Sequence, residues 1–280
     1  MKFLKLLPAA ILAVGVIAVP AAASASPLPA GVPVPKTHLP GLTNPGPGAV
    51  ATNTLYSANW AGYVDLPKSG KTFTDVGTTF YIPRLSASQK SACVAAAAGT
   101  PNDTSYAAYW AGLDGANNGT VEQEGVAQYC QGDGTTGLYA WYEMYPANPV
   151  PFFGAVNPGD KIVVVTLYTG GKYNLYLHDV TNGFHFNVKE SGNGKRASAE
   201  VITEDPGDGN PSVWHLADYG SAKYTNSIVK GSGVTGPLSK SSAWSSFRVN
   251  EVDNNGHTMQ TTKDLNRSGN GFADDFNWSH

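Results

Sequence analysis

The 280-residue sequence has few charges, few basic side chains and, after its first 22 residues, no long apolar run. Charged residues make up 14% of the chain, with 18 Lys plus Arg against 21 Asp plus Glu. A nucleic-acid binder needs a basic stripe on its surface, so this balance excludes nucleic acid as a partner. A membrane helix needs about 20 consecutive apolar residues, so we expect no membrane association of the mature chain.

Cysteines and metal-ligand clusters are also scarce. The chain has two cysteines, Cys93 and Cys130, and no grouping of His, Cys and Asp has the spacing of a metal site. We therefore expect neither a metal nor another cofactor. In an oxidising compartment, a disulfide between these two cysteines is the default expectation.

The short motifs of the common peptidase classes are missing. Gly-x-Ser-x-Gly, His-Glu-x-x-His and Asp-Thr-Gly are all absent, so serine, zinc and aspartic peptidase chemistry has no support from motifs. A Ser/His/Asp set scattered along the chain stays open at this point, because such a triad is defined by geometry and not by sequence order.

The N-terminus has the pattern of a secretion signal. Lys2 and Lys5 form a short basic end, residues 6–22 are apolar, and residues 23–25 read Ala-Ser-Ala, a small-x-small cleavage site. Residues 1–25 are therefore predicted to be a signal peptide and the mature protein to be secreted. Its removal leaves 16 basic against 21 acidic residues, a net charge of about −5.

Two further regions follow the signal. Residues 26–50 are rich in Pro, Gly and Ala, a composition that buries too little apolar surface to order itself, so they are predicted to be an extended leader or short pro-segment. From residue 51 to 280 the chain reads as a single β domain. Short strands with turn signals recur there at roughly 8–12-residue spacing, which favours an all-β antiparallel sandwich. One short helix is predicted at residues 87–98, and we expect a monomer.

The segment 198–205, Ser-Ala-Glu-Val-Ile-Thr-Glu-Asp, alternates with the period of a strand and is stopped by Pro206 and Gly207. Glu204 therefore stands at the end of a strand, at the lip of a sheet. A carboxyl beside apolar strand residues is partly desolvated, which raises its pKa and suits it to proton transfer. On this stretch alone, a solvated strand-end residue is the favoured interpretation.

Other candidate residues occur on three more predicted strands. Trp141, Glu143 and Tyr145 share one face of the stretch 138–146, and an acid among aromatic side chains suits the grip of an extended ligand. Such a face also fits an ordinary edge strand.

Gln123 faces the opposite way from Glu122 and Glu124. If those two acids face water, Gln123 faces a cleft or core. Its amide could then stabilise an oxyanion, or simply complete a backbone hydrogen bond. Trp110 and Asp114 flank another strand end, where core packing and an Asx-type turn explain them equally well.

Taken together, several segments of the sequence resemble the glutamic peptidases, the eqolisin family. The matching pieces occur in the family's order and extend over most of residues 57–278. They are Asn59-Trp60-Ala61-Gly62, Trp110-Ala111-Gly112-Leu113-Asp114-Gly115, Gln123-Glu124-Gly125, Ala140-Trp141-Tyr142-Glu143-Met144-Tyr145-Pro146, Pro158-Gly159-Asp160, Ala199-Glu200-Val201-Ile202-Thr203-Glu204-Asp205 and Leu216-Ala217-Asp218-Tyr219-Gly220.

The resemblance implies a jelly-roll sandwich of the concanavalin-like type, in which two large antiparallel sheets are bent around a substrate cleft. It implies that Gln123 and Glu204 are the catalytic pair, and that Trp110, Asp114 and Glu143 lie in or beside the cleft. The implied activity is endoproteolysis of polypeptides at acidic pH without a metal. The sequence departs from the fungal pattern on both sides of Gln123. Glu122 stands before it, where an apolar residue is usual, and Glu124 stands after it, where Thr is usual.

Two other functions remain open from the residues alone. A secreted glycoside hydrolase could use Glu143 and Glu204 as its carboxyl pair, since aromatic clefts suit sugars. A non-catalytic, lectin-like binding module could have the same fold, because fold alone does not determine function.

Overall fold

The computed structural model describes residues 34–35, 42–43, 53–100, 103–207, 214–239 and 241–279. The predicted signal peptide, residues 1–25, lies outside the described residues, and so does most of the predicted leader. The described part contains one helix, α1 (Ala87–Ala97), and 17 strands. The strands are β1 (Thr54–Ser57), β2 (Trp60–Pro67), β3 (Phe73–Tyr81), β4 (Thr104–Leu113), β5 (Val121–Gln131), β6 (Thr136–Tyr145), β7 (Val150–Phe153), β8 (Lys161–Thr169), β9 (Lys172–Asp179), β10 (His185–Glu190), β11 (Ala199–Glu204), β12 (His215–Leu216), β13 (Ser221–Gly231), β14 (Val234–Pro237), β15 (Trp244–Val252), β16 (Thr258–Thr262) and β17 (Phe272–Phe276).

Two runs of hydrogen-bonded strands make up most of the sheet, and β12 and β14 pair with β4 and β13 beside them. The first run has the order β1-β15-β2-β11-β4-β5-β6-β7, and the second has the order β10-β9-β8-β3-β13-β17-β16. Pairing of β15 with β16 joins the runs. All pairs in the two runs are antiparallel except β1 with β15. The prediction of a mostly β, antiparallel protein is confirmed.

The two runs pack against each other through one apolar face of each. Strands β4 and β5 contact β8 and β9, and β11 contacts β3. The buried cluster between them includes Val126, Val164 and Tyr224. The hydroxyl of Thr166 on β8 donates to the carboxyl of Glu124 on β5 at 2.7 Å, so this interface also encloses polar groups that find partners across it.

The other face of the first run carries a second apolar cluster, rich in aromatic side chains. It includes Trp60, Trp110, Tyr139 and Trp141. These residues alternate with those of the inter-run core, as the period of two along a strand requires. The first run is therefore apolar on both faces, and its second face is where the candidate residues meet.

Helix α1 covers the ends of β4 and β5. It begins with a capping box, in which the Ser86 side chain accepts from the backbone N–H of Gln89. The predicted helix is confirmed, and so is the disulfide, because Cys93 on the helix is bonded to Cys130 on β5. Among the described residues, no helix combines the length and apolarity needed to span a bilayer.

Two details of the strands lie beyond what alternation along the chain shows. The alternating stretch from His215 to Ala222 is divided, because β12 ends at Leu216 and β13 starts at Ser221. Gly220 between them has a φ of +71°, a left-handed conformation that breaks an extended run. Glu122 and Glu124, for which a water-facing orientation was only one possibility, are buried, with exposed fractions of 1% and 0%.

Candidate active site

Strand β11 lies between β2 and β4 in the first run. With a neighbour on each side and apolar clusters on both faces, all six of its residues are buried. Glu204, its last residue, has an exposed fraction of 0%. The desolvated interpretation of this carboxyl is therefore correct, and the solvated strand-end interpretation is wrong.

Two hydrogen bonds hold the Glu204 carboxyl. The indole Nε1 of Trp110 on β4 donates to Oε2 at 2.7 Å, and Nδ2 of Asn59 donates to Oε1 at 3.3 Å. The rings of Trp110 and Trp60 pack edge to face, with their centroids 4.9 Å apart and their planes at 77°. Donors to both oxygens stabilise the ionised form of a carboxyl that burial would otherwise disfavour.

Gln123 extends from the same sheet face as Glu204. In the register, Glu204 stands opposite Ala108 of β4, and Gln123 stands opposite Gly112 of the same strand. Ala108 and Gly112 are four residues apart, so side chains at both positions, and at their partners, point to one face. Gly112 carries no side chain, and the space it leaves lies beside Gln123.

The amide of Gln123 is oriented by Glu143. Its Nε2 donates to Oε2 of Glu143 at 2.8 Å, and the two residues are directly paired across β5 and β6. Both side chains are buried. This contact turns the Nε2 end of the amide towards the carboxyl of Glu143. It therefore also sets the direction in which the second N–H of Nε2 points.

Glu143 and Glu204 line one small cavity on this face. The space in it that the centre of a water molecule can occupy is about 10 Å³. A cavity of this size holds about one water. The remaining lining residues are Pro35, Ala108, Ala127, Tyr139, Trp141, Pro149 and Pro206. Gln123 is not part of the lining and reaches the cavity through its contact with Glu143.

Three further predicted residues have different positions. Trp141 lines the cavity, and Tyr145 packs half-buried against the aromatic cluster of the same face. Asp114 follows the end of β4, and its carboxylate accepts from the backbone N–H groups of Arg196 and Ala197 at 2.6 and 2.7 Å. Asp114 therefore supports a loop and does not line the cavity.

Two buried acids lie near Glu204 and share its electrostatic environment. Burial, followed by the charges of Glu251 and Glu204, holds the pKa of Asp205 well above its ordinary range. Burial raises the pKa of Glu251 to about 8, against a lowering hydrogen bond from Gln260, and Glu204 adds to the rise. In acid these two neighbours are protonated and neutral, so they do not oppose a charge on Glu204.

The predicted leader reaches the cavity. Pro35 lines it and is buried, and Val34 and Leu42 pack against the aromatic cluster. Thr43 pairs with Tyr56 of β1 through two backbone hydrogen bonds of 2.9 and 3.0 Å. Sequence reasoning did not anticipate this contact, because nothing in a Pro-rich composition indicates where such a segment binds.

Sequence reasoning also missed the role of Asn59 as a partner of the acid. The only signal for it was the segment Asn59-Trp60-Ala61-Gly62, which carried part of the resemblance. Among the described residues, no group of three or more His, Cys, Asp or Glu side chains is arranged to hold a metal ion.

Comparisons with known proteins identify similar sequences and similar folds. The model of the peptidase A4 family matches residues 58–270. Aspergillopepsin-2 of Aspergillus niger is 30% identical over 224 residues, which are 75% of this chain and 76% of that protein. Two crystal structures of scytalido-glutamic peptidase, one with a transition state analog inhibitor and one with a peptide based transition state analog, have a similar fold. Their TM-scores are 0.61 and 0.59 at 23% and 22% identity, over 78% of this chain and 98% of theirs.

Proposed function

The chain belongs to the peptidase A4 family, and from that premise we propose that it is a secreted acid endopeptidase in which Gln123 and Glu204 form the catalytic pair. As a glutamic-type peptidase, it acts on polypeptides. Family membership favours this function over the glycoside hydrolase and the lectin-like module that the residues alone left open.

In the proposed reaction, Glu204 is the general base. It takes a proton from a water molecule that attacks the carbonyl carbon of the peptide bond, and the tetrahedral intermediate forms. Glu204 then returns a proton to the leaving nitrogen, and the C–N bond breaks. Proton transfer by a positioned side chain typically contributes 10²–10⁴-fold to the rate.

Gln123 is the proposed oxyanion stabiliser. Its amide N–H donates to the carbonyl oxygen as negative charge develops there, and Glu143 keeps the amide in the orientation that allows this. Glu143 is thus a positioning residue in this proposal. Trp141, which lines the cavity, and Tyr145 on the same face would contact the substrate, whereas the buried Trp110 holds the acid.

The observation that carries the proposal is the water-sized cavity between Glu204 and Glu143. It lies against the acid that Trp110 and Asn59 hold, on the sheet face from which Gln123 extends. A base, an adjacent space for water and an oriented amide are the three parts that direct water attack requires.

The proposal extends to the finer architecture and to the leader. The two runs of strands are taken as the two bent sheets of a concanavalin-like jelly-roll sandwich, and the protein as a monomer. Residues 1–25 are taken as a secretion signal, and residues 26–50 as a pro-segment. The position of Pro35 at the cavity supports the last assignment, because a segment seated there occupies the place of substrate. A chain secreted without residues 26–50 should cleave substrate with no lag at acid pH.

The testing experiment is casein digestion across a pH series with Glu204→Gln and Gln123→Ala. We expect Glu204→Gln to lose at least about a thousandfold and Gln123→Ala about 10²–10³-fold, with the folded circular dichroism spectrum retained. Glu200→Gln is the matched control, since Glu200 is a buried acid on the same strand, and it should retain activity. Turnover by Glu204→Gln near the wild-type rate would refute the assignment.

A further inference from the structure

Residues 191–198 connect β10 to β11 and pass directly over a buried group of acids. Asp114 accepts the backbone N–H groups of Arg196 and Ala197, and Glu122 faces both Asp114 and the hydroxyl of Tyr173. A Cβ added at Gly194 would overlap the hydroxyl of Tyr173 and carboxyl oxygens of Glu122 and Asp114. The segment therefore lies against these three side chains as closely as a glycine permits.

The contact brings two buried carboxyls, those of Asp114 and Glu122, close together. Asp114 also accepts from Nδ2 of Asn118 at 2.5 Å, and three N–H donors suit its ionised form. Glu122 has an exposed fraction of 1%. Burial, and then the charge and hydrogen bond of Asp114, raise the pKa of Glu122 to about 8. A protonated Glu122 can donate to Asp114, whereas an ionised Glu122 would place a second buried negative charge beside it.

We propose that Asp114, Glu122 and Tyr173 form an acid clasp that holds residues 191–198 closed while Glu122 carries a proton and releases them when Glu122 ionises. The chain enters β11 directly from this segment, so the clasp secures the start of the strand that ends at Glu204. Glu122 lies on the opposite face of β5 from Gln123, and the clasp gives it a role outside the cavity.

The described charged groups around the clasp are mainly acids, with Arg196 as a cation beside Tyr173. Glu200 of β11 is a further buried acid, whose pKa burial raises well above the ordinary range, with Asp114, Asp65 of β2 and Glu122 adding to the rise. The guanidinium of Arg196 lies over the ring of Tyr168, 4.2 Å from its centroid. Burial has the largest effect on the pKa of Tyr173 and raises it, whereas the charge of Arg196 lowers it. The charges of Asp114, Asp65 and Glu122 thus all reach Glu200, and ionisation of Glu122 adds negative charge to this region.

The direction of the pH effect follows from the raised pKa. An acid that is harder to ionise in the closed state than in the open state favours closure at low pH. Opening then increases by about tenfold per pH unit from near the ordinary pKa of a glutamate up to the raised value, and levels off above it. For Glu122 this window extends from about pH 4.5 to about pH 8.

The test is hydrogen exchange at the amides of Arg196 and Ala197, measured in the full chain from pH 5 to pH 9 and corrected for intrinsic exchange rates. In the wild type, we expect protection to fall by about tenfold per pH unit up to about pH 8. Glu122→Gln keeps a donor but does not titrate, so its protection should change less than threefold. Glu124→Gln is the matched control. It removes a buried acid two residues along β5 that contacts Thr166 of β8 instead, so it should follow the wild type.

Three outcomes would overturn the clasp. They are a wild type with flat protection, a Glu122→Gln variant that opens with pH as the wild type does, and a loss of protection shared equally by the amides of β8, which would mean global unfolding. If Glu122→Gln does not fold, Glu122→Leu is the second variant. Its apolar side chain does not titrate either, so protection of the two amides should again be independent of pH. None of these readouts depends on peptidase activity, so the clasp can fail while the proposed catalytic roles stand.

Discussion

The indole Nε1 of Trp110 donates a hydrogen bond of 2.7 Å to the carboxyl of Glu204, across neighbouring strands β4 and β11. Trp110 also packs edge to face with Trp60, so the donor is held by the core of the aromatic cluster. A rigid donor that reaches a buried acid stabilises its charged form and fixes its direction, which are the two things a general base needs.

Replacement of Trp110 by Phe should therefore lower peptidase activity. The hydrogen bond to a charged group is worth roughly 1.5–3 kcal/mol, so kcat/KM at acid pH should fall by about ten- to a hundredfold. Trp60→Phe is the matched control, because it makes the same change in size without removing a donor to Glu204. Assays with a fluorogenic peptide decide the point, and equal losses in the two variants would mean that packing alone explains the effect.

Gly112→Ala should disturb the site without unfolding the protein. A Cβ there would lie 2.9 Å from Cβ of Gln123 and 3.1 Å from Cζ3 of Trp110, so both side chains must shift. Overpacking of this kind costs roughly 1–3 kcal/mol of stability, whereas misplacement of the amide should reduce kcat by more than tenfold. Gly119→Ala, where an added Cβ meets nothing within 4 Å, should match the wild type in both kcat and melting temperature.

Stability should decline as pH rises from acid to neutral. Burial raises the pKa of Asp274 from 3.8 to about 7, although the hydroxyls of Thr262 and Thr203 donate to it and lower the value. Because the folded state holds this proton more tightly than the unfolded state, the stabilisation is complete below about pH 3.8 and is lost up to about pH 7. The total is about 4 kcal/mol for this one group.

Asp274→Asn removes that titration, so its free energy of unfolding should change less between pH 4 and pH 7 than that of the wild type. Asp275→Asn is the contrasting variant. Hydrogen bonding and the charge of Lys263 lower the pKa of Asp275 despite an opposing effect of burial, so removal of this acid should not flatten the profile. Urea titrations at intervals of pH measure both, and identical slopes for Asp274→Asn and wild type would contradict the expectation.

The disulfide should contribute to stability and not to catalysis. It ties α1 to β5 across a sequence separation of 37 residues, and closing a loop of this size is worth about 3–4 kcal/mol in the chain-entropy description. A variant with Cys93→Ser and Cys130→Ser should lower the urea midpoint accordingly while kcat at low denaturant stays within a few-fold of wild type. A large fall in kcat with an unchanged midpoint would reverse this assignment.

The strand period explains how much of the site was predictable. Alternation along 198–205 and 138–146 correctly put Glu204 on a strand end and placed Trp141, Glu143 and Tyr145 on one face. It could not reveal which face another layer covers. Glu122 and Glu124 were considered as water-facing residues for that reason, whereas packing of β5 against β8 and β9 buries them.

Contacts between distant segments account for the rest. Asp114 has turn chemistry in the sequence, and only the fold brings residues 196 and 197 to its carboxylate. Strand β7 contains Pro151 and directly follows Pro149, and proline in a sequence argues against a strand. Among the described strands, β7 pairs with β6 alone. It is therefore an edge strand, a position where proline is tolerated.

The most direct test of the central claim is a double-mutant comparison of Glu204→Gln, Gln123→Ala and the variant that carries both, with kcat/KM measured on one peptide at acid pH. If the acid and the amide act on the same water and carbonyl, they work as a unit and their losses do not multiply. We predict that the double variant is within about tenfold of Glu204→Gln alone. A double variant whose loss equals the product of the two single losses would contradict the account.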